Sequence, residues 1–415
     1  MDTAQAIAAW VEENWQADLT LAEWWQRLAD SGHAFPTWPT GLGGTNASPS
    51  QARQISAALT AAGVIGPPVG NGPSMGGPTV LAHGTPEQQQ RFVGPLVRGQ
   101  EAWAQLFSEP GAGSDLASLA TSAVRDGDEF VINGQKVWNS FADMADWGML
   151  LARTDVDVPK HRGITYMMID MNQAGVEVRP LVQMNGIAEF CEVFFTDARV
   201  PVANVIGGIG EGWNVARTTL AFERAGAGSS RAANAISVGA GPKAGNLHTP
   251  VGELLQRAKR DANDPTLRTE MLLSSRTLFK MARELGCATD PVLRDRLMHY
   301  HINSQVYSWT GQRGRDNAKT GRPGPEVSTL KLKIALLAHE SRDLSLSLLG
   351  AEGMLMGGET FEGARIQRAA LASPVPSLGG GTNEIQRNII GEQALGLPRE
   401  PSDDNVIPFR ELRRS

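Results

Sequence analysis

Three short stretches carry residue types that could do chemistry by themselves. Gly72-Pro73-Ser74-Met75-Gly76 fits the G-x-S-x-G spacing of a serine nucleophile. That device needs a strand before the serine and a helix after it. Here it sits inside VIGPPVGNGPSMGGP, which reads as a proline- and glycine-rich loop. His299 and His301 form an H-x-H pair. On a helix, positions i and i+2 do not share a face, so the pair reads as two ordinary helix histidines rather than metal ligands. The run AQLFSEPGAGSDLASL at 104–119 brings glycines, serines and acids together after an apolar segment. Its free backbone N–H groups and hydroxyls could hold a polar ring or an anion, or the run could be a tight connection between domains.

The elements that must position these groups follow from pattern. The chain has 415 residues and a formal net charge of −6, long enough for two or three domains. No basic face points to a nucleic-acid partner. Cys191 and Cys287 are the two cysteines and read as buried thiols without a disulfide. The opening MDTAQAIAAWVEENW has no basic start or long apolar run. No stretch has the roughly 20 apolar residues a membrane span needs. A cytoplasmic protein is the expectation.

Periodicity divides the chain into three zones and a polar, frayed tail at 401–415. Residues 1–103 read as helical, with Thr85, Pro86 and Gln88 forming a helix start. Trp10, Trp15, Trp24, Trp25 and Trp38 crowd this zone and read as helix-packing core. Residues 104–204 switch to short strands with a hairpin expected at Asn133-Gly134. Spacing this close leaves no room for crossover helices, so an antiparallel barrel or sandwich is expected. Residues 205–400 return to long helices, with starts at Asp264-Pro265 and Asp290-Pro291 and a long helix ending at Gly350, as in a four-helix bundle. The fold class is a multi-domain α+β chain, with a helical domain, a β domain and a helical bundle in order.

LFSEPGAGSDLAS, INGQKVWNSFADMADWGMLLART, VFFTDARVPVANVIGGIGEGW and GGTNEIQRNIIGEQALGLPRE, in this order, resemble signature blocks of the acyl-CoA dehydrogenases. The resemblance spans nearly the whole chain. It implies bound FAD, an acyl-CoA substrate, electron-transfer flavoprotein as electron acceptor, and a homodimer, homotetramer or heterotetramer. By position, Leu106, Phe107 and Ser108 match residues along the flavin ring edge. Gly113 and Ser114 lie in the same loop, and Ser114 also falls where the family touches CoA. Trp138 and Ser140 match flavin neighbours, and Thr382 and Glu384 match cofactor contacts after the final turn. The family's R-x-x-F-G stretch has no clean copy, and a glutamine near LGAEG is replaced by Ser347, so the adenine end is not assigned.

Many members of the family place a catalytic glutamate just before the final Gly-Thr. Here Gly380 stands there. Others put the base on the first long helix after the β zone, as a Glu-Arg pair in an apolar stretch. WNVARTTLAFERAGAG supplies Glu223 and Arg224, with Leu220 and Phe222 beside them. The resemblance therefore implies Glu223 as base and Arg224 as a substrate neighbour. An ordinary solvated Glu-Arg pair is the plain alternative, and Glu384 is the rival carboxylate. Two other readings keep the fold: a non-catalytic subunit of a heteromeric dehydrogenase, and a flavin oxidase or monooxygenase.

Overall fold

The computed structural model describes residues 3–228, 236–263, 271–320, 324–357 and 359–412. They fall into two compact units. One holds Met1–Val182, Ala188–Lys259 and Ser402–Ser415; the other holds Gln183–Ile187 and Arg260–Pro401. Among the described residues no helix is long and apolar enough to cross a membrane.

The first unit opens with α1 (Thr3–Asn14), α2 (Leu21–Asp30) and α3 (Pro49–Ala61). A capping box at Thr20 and Glu23 starts α2. Trp24 and Trp25 are fully buried, and their indole N–H groups donate to the carbonyls of Ile65 and Gly66 at 2.8 and 2.9 Å. Trp10 and Trp15 pack on Trp24. These tryptophans form core, as their spacing suggests.

GPSMG is not a loop. It is a π-helical turn at Gly72–Gly76 that runs into α4 (Gly77–His83). A Cβ on Gly76 would stand 2.6 Å from both Met149 and Trp103, so glycine here serves close packing rather than chain reversal. No strand precedes Ser74 among the described residues, and its side chain is exposed. Thr85 caps α5 (Pro86–Gln88) through the expected box, and a π-helical turn at Gln89–Val93 leads to α6 (Gly94–Val97).

The sheet comprises β1 (Trp103–Leu106), β2 (Ser122–Asp126), β3 (Glu129–Ser140), β4 (Trp147–Arg153), β5 (Ile164–Asp170), β6 (Val176–Leu181), β7 (Phe190–Pro201) and β8 (Val205–Ile206). Its order is β6-β7-β3-β2-β4-β5-β8, with β1 also on β4. The pairs are antiparallel, except that β1 and a single pair from β2 lie parallel to β4. The hairpin does not form at Asn133-Gly134. The strands reverse at Gly127-Asp128, where Gly127 has φ +62°. Asn133-Gly134 instead lies within β3, opposite a bulge in β7 at Thr196-Asp197, where Asp197 has φ +51°. The Asn133 side chain exchanges two 3.0 Å hydrogen bonds with Asp197 on β7, which hold the bulge.

One sheet face, with Ala104, Leu106, Ile132, Leu150 and Val193, forms its own core. The other face, with Trp103, Phe107, Met149 and Tyr166, is covered by α4 and by α7 (Gly212–Gly228) through Val80, Val215 and Ala216. Residues 236–251 bridge to the N-terminal helices and lead into α8 (Val251–Asn263).

The tail is not frayed. Phe409 is buried beneath the Arg153 guanidinium, 3.6 Å from its ring centre. The N–H groups of Phe409 and Arg410 donate to the carbonyls of Val158 and Val156 at 2.9 and 3.1 Å. One aromatic anchor overrides the polar composition around it.

In the second unit, α9 (Ser275–Glu284), α10 (Pro291–Lys319) and α11 (Glu326–Leu349) pack around Leu278, Tyr300 and Leu344. Asp290 starts α10 by accepting from the N–H groups of Val292 and Leu293, and Gly350 stops α11 at φ +59°. The expected start at Asp264-Pro265 lies outside the described residues. Then come α12 (Arg365–Ala372), α13 (Val375–Leu378) and α14 (Asn383–Ile389).

Phe409→Ala removes the tail's anchor from a buried site and is expected to cost about 3–5 kcal/mol in chemical denaturation of the first unit. A loss below about 1 kcal/mol would mean that the tail only rests on the surface.

Candidate active site

β1 and the residues after it form the floor of the site. Strand alternation sends Ala104 and Leu106 into one core and Trp103 and Phe107 into the other. Leu106 and Phe107 are buried, so their side chains serve the core. Ser108 is half-buried, and its N–H and hydroxyl have no partner among the described residues. Gly113 and Ser114 lie exposed in the loop beyond, and a Cβ on Gly113 would meet nothing within 4 Å.

A buried ion pair holds this loop to β3. Lys136 is 0% exposed, and its ammonium donates to Glu109 at 2.8 Å and to the Phe107 carbonyl at 2.9 Å. Glu109 also accepts from the N–H groups of Ala120 and Thr121 at 2.7 and 2.9 Å. Burial drives the Lys136 ammonium down to about 8, although the Glu109 charge and hydrogen bond oppose this. Burial alone would raise Glu109. The Lys136 charge, with the hydrogen bonds from Lys136, Thr121 and Ala120, holds it below the usual carboxylate range.

Beyond Lys136 the pairing of β3 with β7 slips, and Trp138 adopts φ +62°. This is rare for a bulky residue and turns the indole outward, 61% exposed, edge-on to Phe190. The next residue, Asn139, is buried, and its Nδ2 donates to the Gln105 carbonyl at 2.7 Å. The Ser140 hydroxyl is half-buried without a partner among the described residues. Trp138 and Ser140 are thus fixed at the end of β1, beside Ser108.

Glu223 reaches the same strand from above. Ala216, Thr219, Leu220 and Glu223 share a face of α7, and that face packs on the sheet. Gln105 donates from Nε2 to Glu223 Oε2 at 3.2 Å. Glu223 is half-buried, whereas its neighbour Phe222 is exposed. Among the described residues no ion pair joins Glu223 to Arg224, which is also half-buried.

Thr382 and Glu384 lie in the second unit. Thr382 caps α14, its hydroxyl accepting from the Ile385 N–H at 3.3 Å. Glu384 is exposed and pairs with Arg387 at 3.0 Å. Its own backbone N–H, then Thr382 and Arg387, hold its carboxyl low. A carboxylate so placed is a poor proton acceptor. Gly380 and Gly381 carry φ +65° and +91°, a turn built on glycine freedom.

A cleft of about 530 Å³ at the start of α7, lined by His161, Arg162, Trp213 and Asn214, had no signal in sequence beyond its aromatic and basic residues. His161 packs on Trp213 at 4.9 Å and is held low by burial and by Lys160. Lys160 also grips both carboxylate oxygens of Asp115 at 2.9 Å, which ties the Ser114 loop to the cleft wall.

Family models for acyl-CoA dehydrogenase match as an N-terminal domain over residues 3–100, a middle domain over 104–198 and a C-terminal domain over 273–395. The chain belongs to the acyl-CoA dehydrogenase family. It is 38% identical to acyl-CoA dehydrogenase IpdE1 of Mycobacterium tuberculosis, over 91% of this chain and 88% of that one. It is 36% identical to acyl-CoA dehydrogenase FadE34 of the same organism, over 90% of this chain and 46% of that longer one. Among solved structures, the Tcur3481-Tcur3483 steroid ACAD matches with TM-score 0.70 at 24% identity, over 96% of this chain and 100% of that one. That likeness speaks to the fold alone. The ChsE4-ChsE5 complex from Mycobacterium tuberculosis matches with TM-score 0.66 at 26% identity, over 96% and 97%.

Family members carry FAD, and the residues present fit the ring end of it. Ser108 and Ser140 offer polar groups without partners among the described residues, and Trp138 exposes an indole beside them.

Lys136→Ala leaves Glu109 buried without its counter-charge and is expected to cost about 3–5 kcal/mol. The Lys136 proton gives a signed test. The folded value, about 8, lies below the ordinary 10.5, so between these the unfolded chain holds a proton the folded chain has lost. The stability of wild type relative to Lys136→Met should therefore rise from pH 8 to 10.5. A fall over that window would show that burial does not govern Lys136.

Proposed function

We propose that the chain catalyses FAD-dependent α,β-dehydrogenation of an acyl-CoA thioester to the trans-2-enoyl-CoA, with Glu223 as the base. The observation that carries this is the placement of Glu223. It is the family's alternative base position, on the face of α7 turned to the sheet, hydrogen-bonded to the strand that leads into Leu106, Phe107 and Ser108.

Glu223 takes the α-proton as the carbon–carbon double bond forms. FAD held at this site would supply the acceptor for the β-hydrogen, which leaves as hydride. An α-proton of a thioester is a very weak acid, so donors to the thioester oxygen must stabilise the developing enolate. The half-buried setting of Glu223 keeps much water away from the transfer. Ser108, Trp138 and Ser140, with the backbones of Leu106 and Phe107, would hold the flavin ring, and Thr382 and Glu384 are cofactor-contact positions by family resemblance. Gly113 and Ser114 border both ligands, and Arg224 adjoins the substrate. Electrons leave to electron-transfer flavoprotein, and the chain works in a homodimer, homotetramer or heterotetramer. Gly380, in place of a carboxylate, leaves room for a bulky acyl group.

Glu223→Gln is expected to keep FAD and bind acyl-CoA but lose turnover by about 10³-fold or more, as expected when a general base is removed. The assay is flavin bleaching by octanoyl-CoA, isovaleryl-CoA and a steroid acyl-CoA. Normal turnover in Glu223→Gln would sink the assignment.

A further inference from the structure

The polar residue on the sheet face beneath α7 raises a second question. Along β1 and the residue after it, Trp103, Gln105 and Phe107 occupy the same side by alternation. Trp103 and Phe107 are buried in an apolar core with Met149, the residue paired with Gln105 on β4. A glutamine between them forfeits apolar packing and needs a partner for its amide. Its amide partner is Glu223, at 3.2 Å.

We infer that Gln105 is a positioning residue for the base, a role that rests on the reading of Glu223 above. An ionised carboxylate only accepts hydrogen bonds, so the amide nitrogen must face it. That bond fixes the carboxylate on the strand side of α7. The strand is itself fixed there: the Gln105 carbonyl is held by the buried Asn139, next in sequence to Trp138 and Ser140. One backbone position therefore registers the flavin-side residues and the base against each other.

The amide also suits a group that changes protonation in every cycle. Once Glu223 has taken the α-proton, the acid becomes a donor. The Gln105 amide, turned over, presents Oε1 to accept from it. A cation at this position would instead favour only the ionised state. Gln105 thus orients the base in both states without adding charge beside it.

The test compares Gln105→Met, Gln105→Asn and Glu223→Gln as FAD-loaded full-length proteins. Stopped-flow flavin reduction uses whichever of octanoyl-CoA, isovaleryl-CoA and the steroid acyl-CoA bleaches wild type fastest. Methionine keeps the length and suits the apolar face, and asparagine keeps the amide on an arm too short to reach. Both are expected to slow flavin reduction roughly 10- to 100-fold, the scale of a misplaced reacting group. Acyl-CoA affinity, FAD content and thermal midpoint should stay at wild-type values, and the isotope effect with α-deuterated substrate should grow. Wild-type reduction rates in both Gln105 variants, with Glu223→Gln inactive, would overturn the role of Gln105 and leave the base standing. Wild-type rates in Glu223→Gln would remove the base and this inference with it.

Discussion

The site hangs on one buried ion pair. Lys136 and Glu109 join the middle of β3 to the loop after β1, and the pair also gathers the carbonyl of Phe107 and the N–H groups of Ala120 and Thr121. A fully buried ammonium is costly, and only this ring of partners makes it tolerable. The same ring leaves the loop between Ser108 and Leu119 little freedom at either end. Ser108 is then presented with its N–H and hydroxyl open, while the residues before it stay in the core.

The neighbouring geometry follows from that anchor. With Lys136 fixed inward, β3 slips against β7, and the slip turns Trp138 out of the sheet. Asn139 then falls inward and meets the carbonyl of Gln105. Gln105 carries the registration across to α7 and Glu223. A chain of five residues, Glu109, Lys136, Asn139, Gln105 and Glu223, thus connects the loop, two strands and the helix.

Much of this was legible in the sequence, for reasons that differ by residue. The capping box at Thr85, the stop at Gly350 and the core tryptophans are local or periodic signals, and the structure bears them out. Asn133-Gly134 misled because its turn chemistry is satisfied across the sheet by Asp197 rather than along the chain. GPSMG misled because its glycines serve contact with Trp103 rather than a loop. Phe409 was hidden in a polar tail because one anchor leaves no period. Gln105 and Lys136 gave no signal at all: each is a polar residue whose partner lies 118 or 27 positions away. Only the folded sheet brings such pairs together.

Glycines at 380 and 381 and the exposed, charge-paired Glu384 leave the second unit without a good proton acceptor at its final turn. The proposed mechanism therefore assigns proton abstraction to Glu223. The most direct measurement is a structure of the FAD-loaded protein with a non-reactive acyl-CoA analogue bound. The account predicts a Glu223 carboxylate oxygen about 3–3.5 Å from the α-carbon, still bonded to Gln105. A different carboxylate at that carbon, with Glu223 turned to solvent, would contradict it.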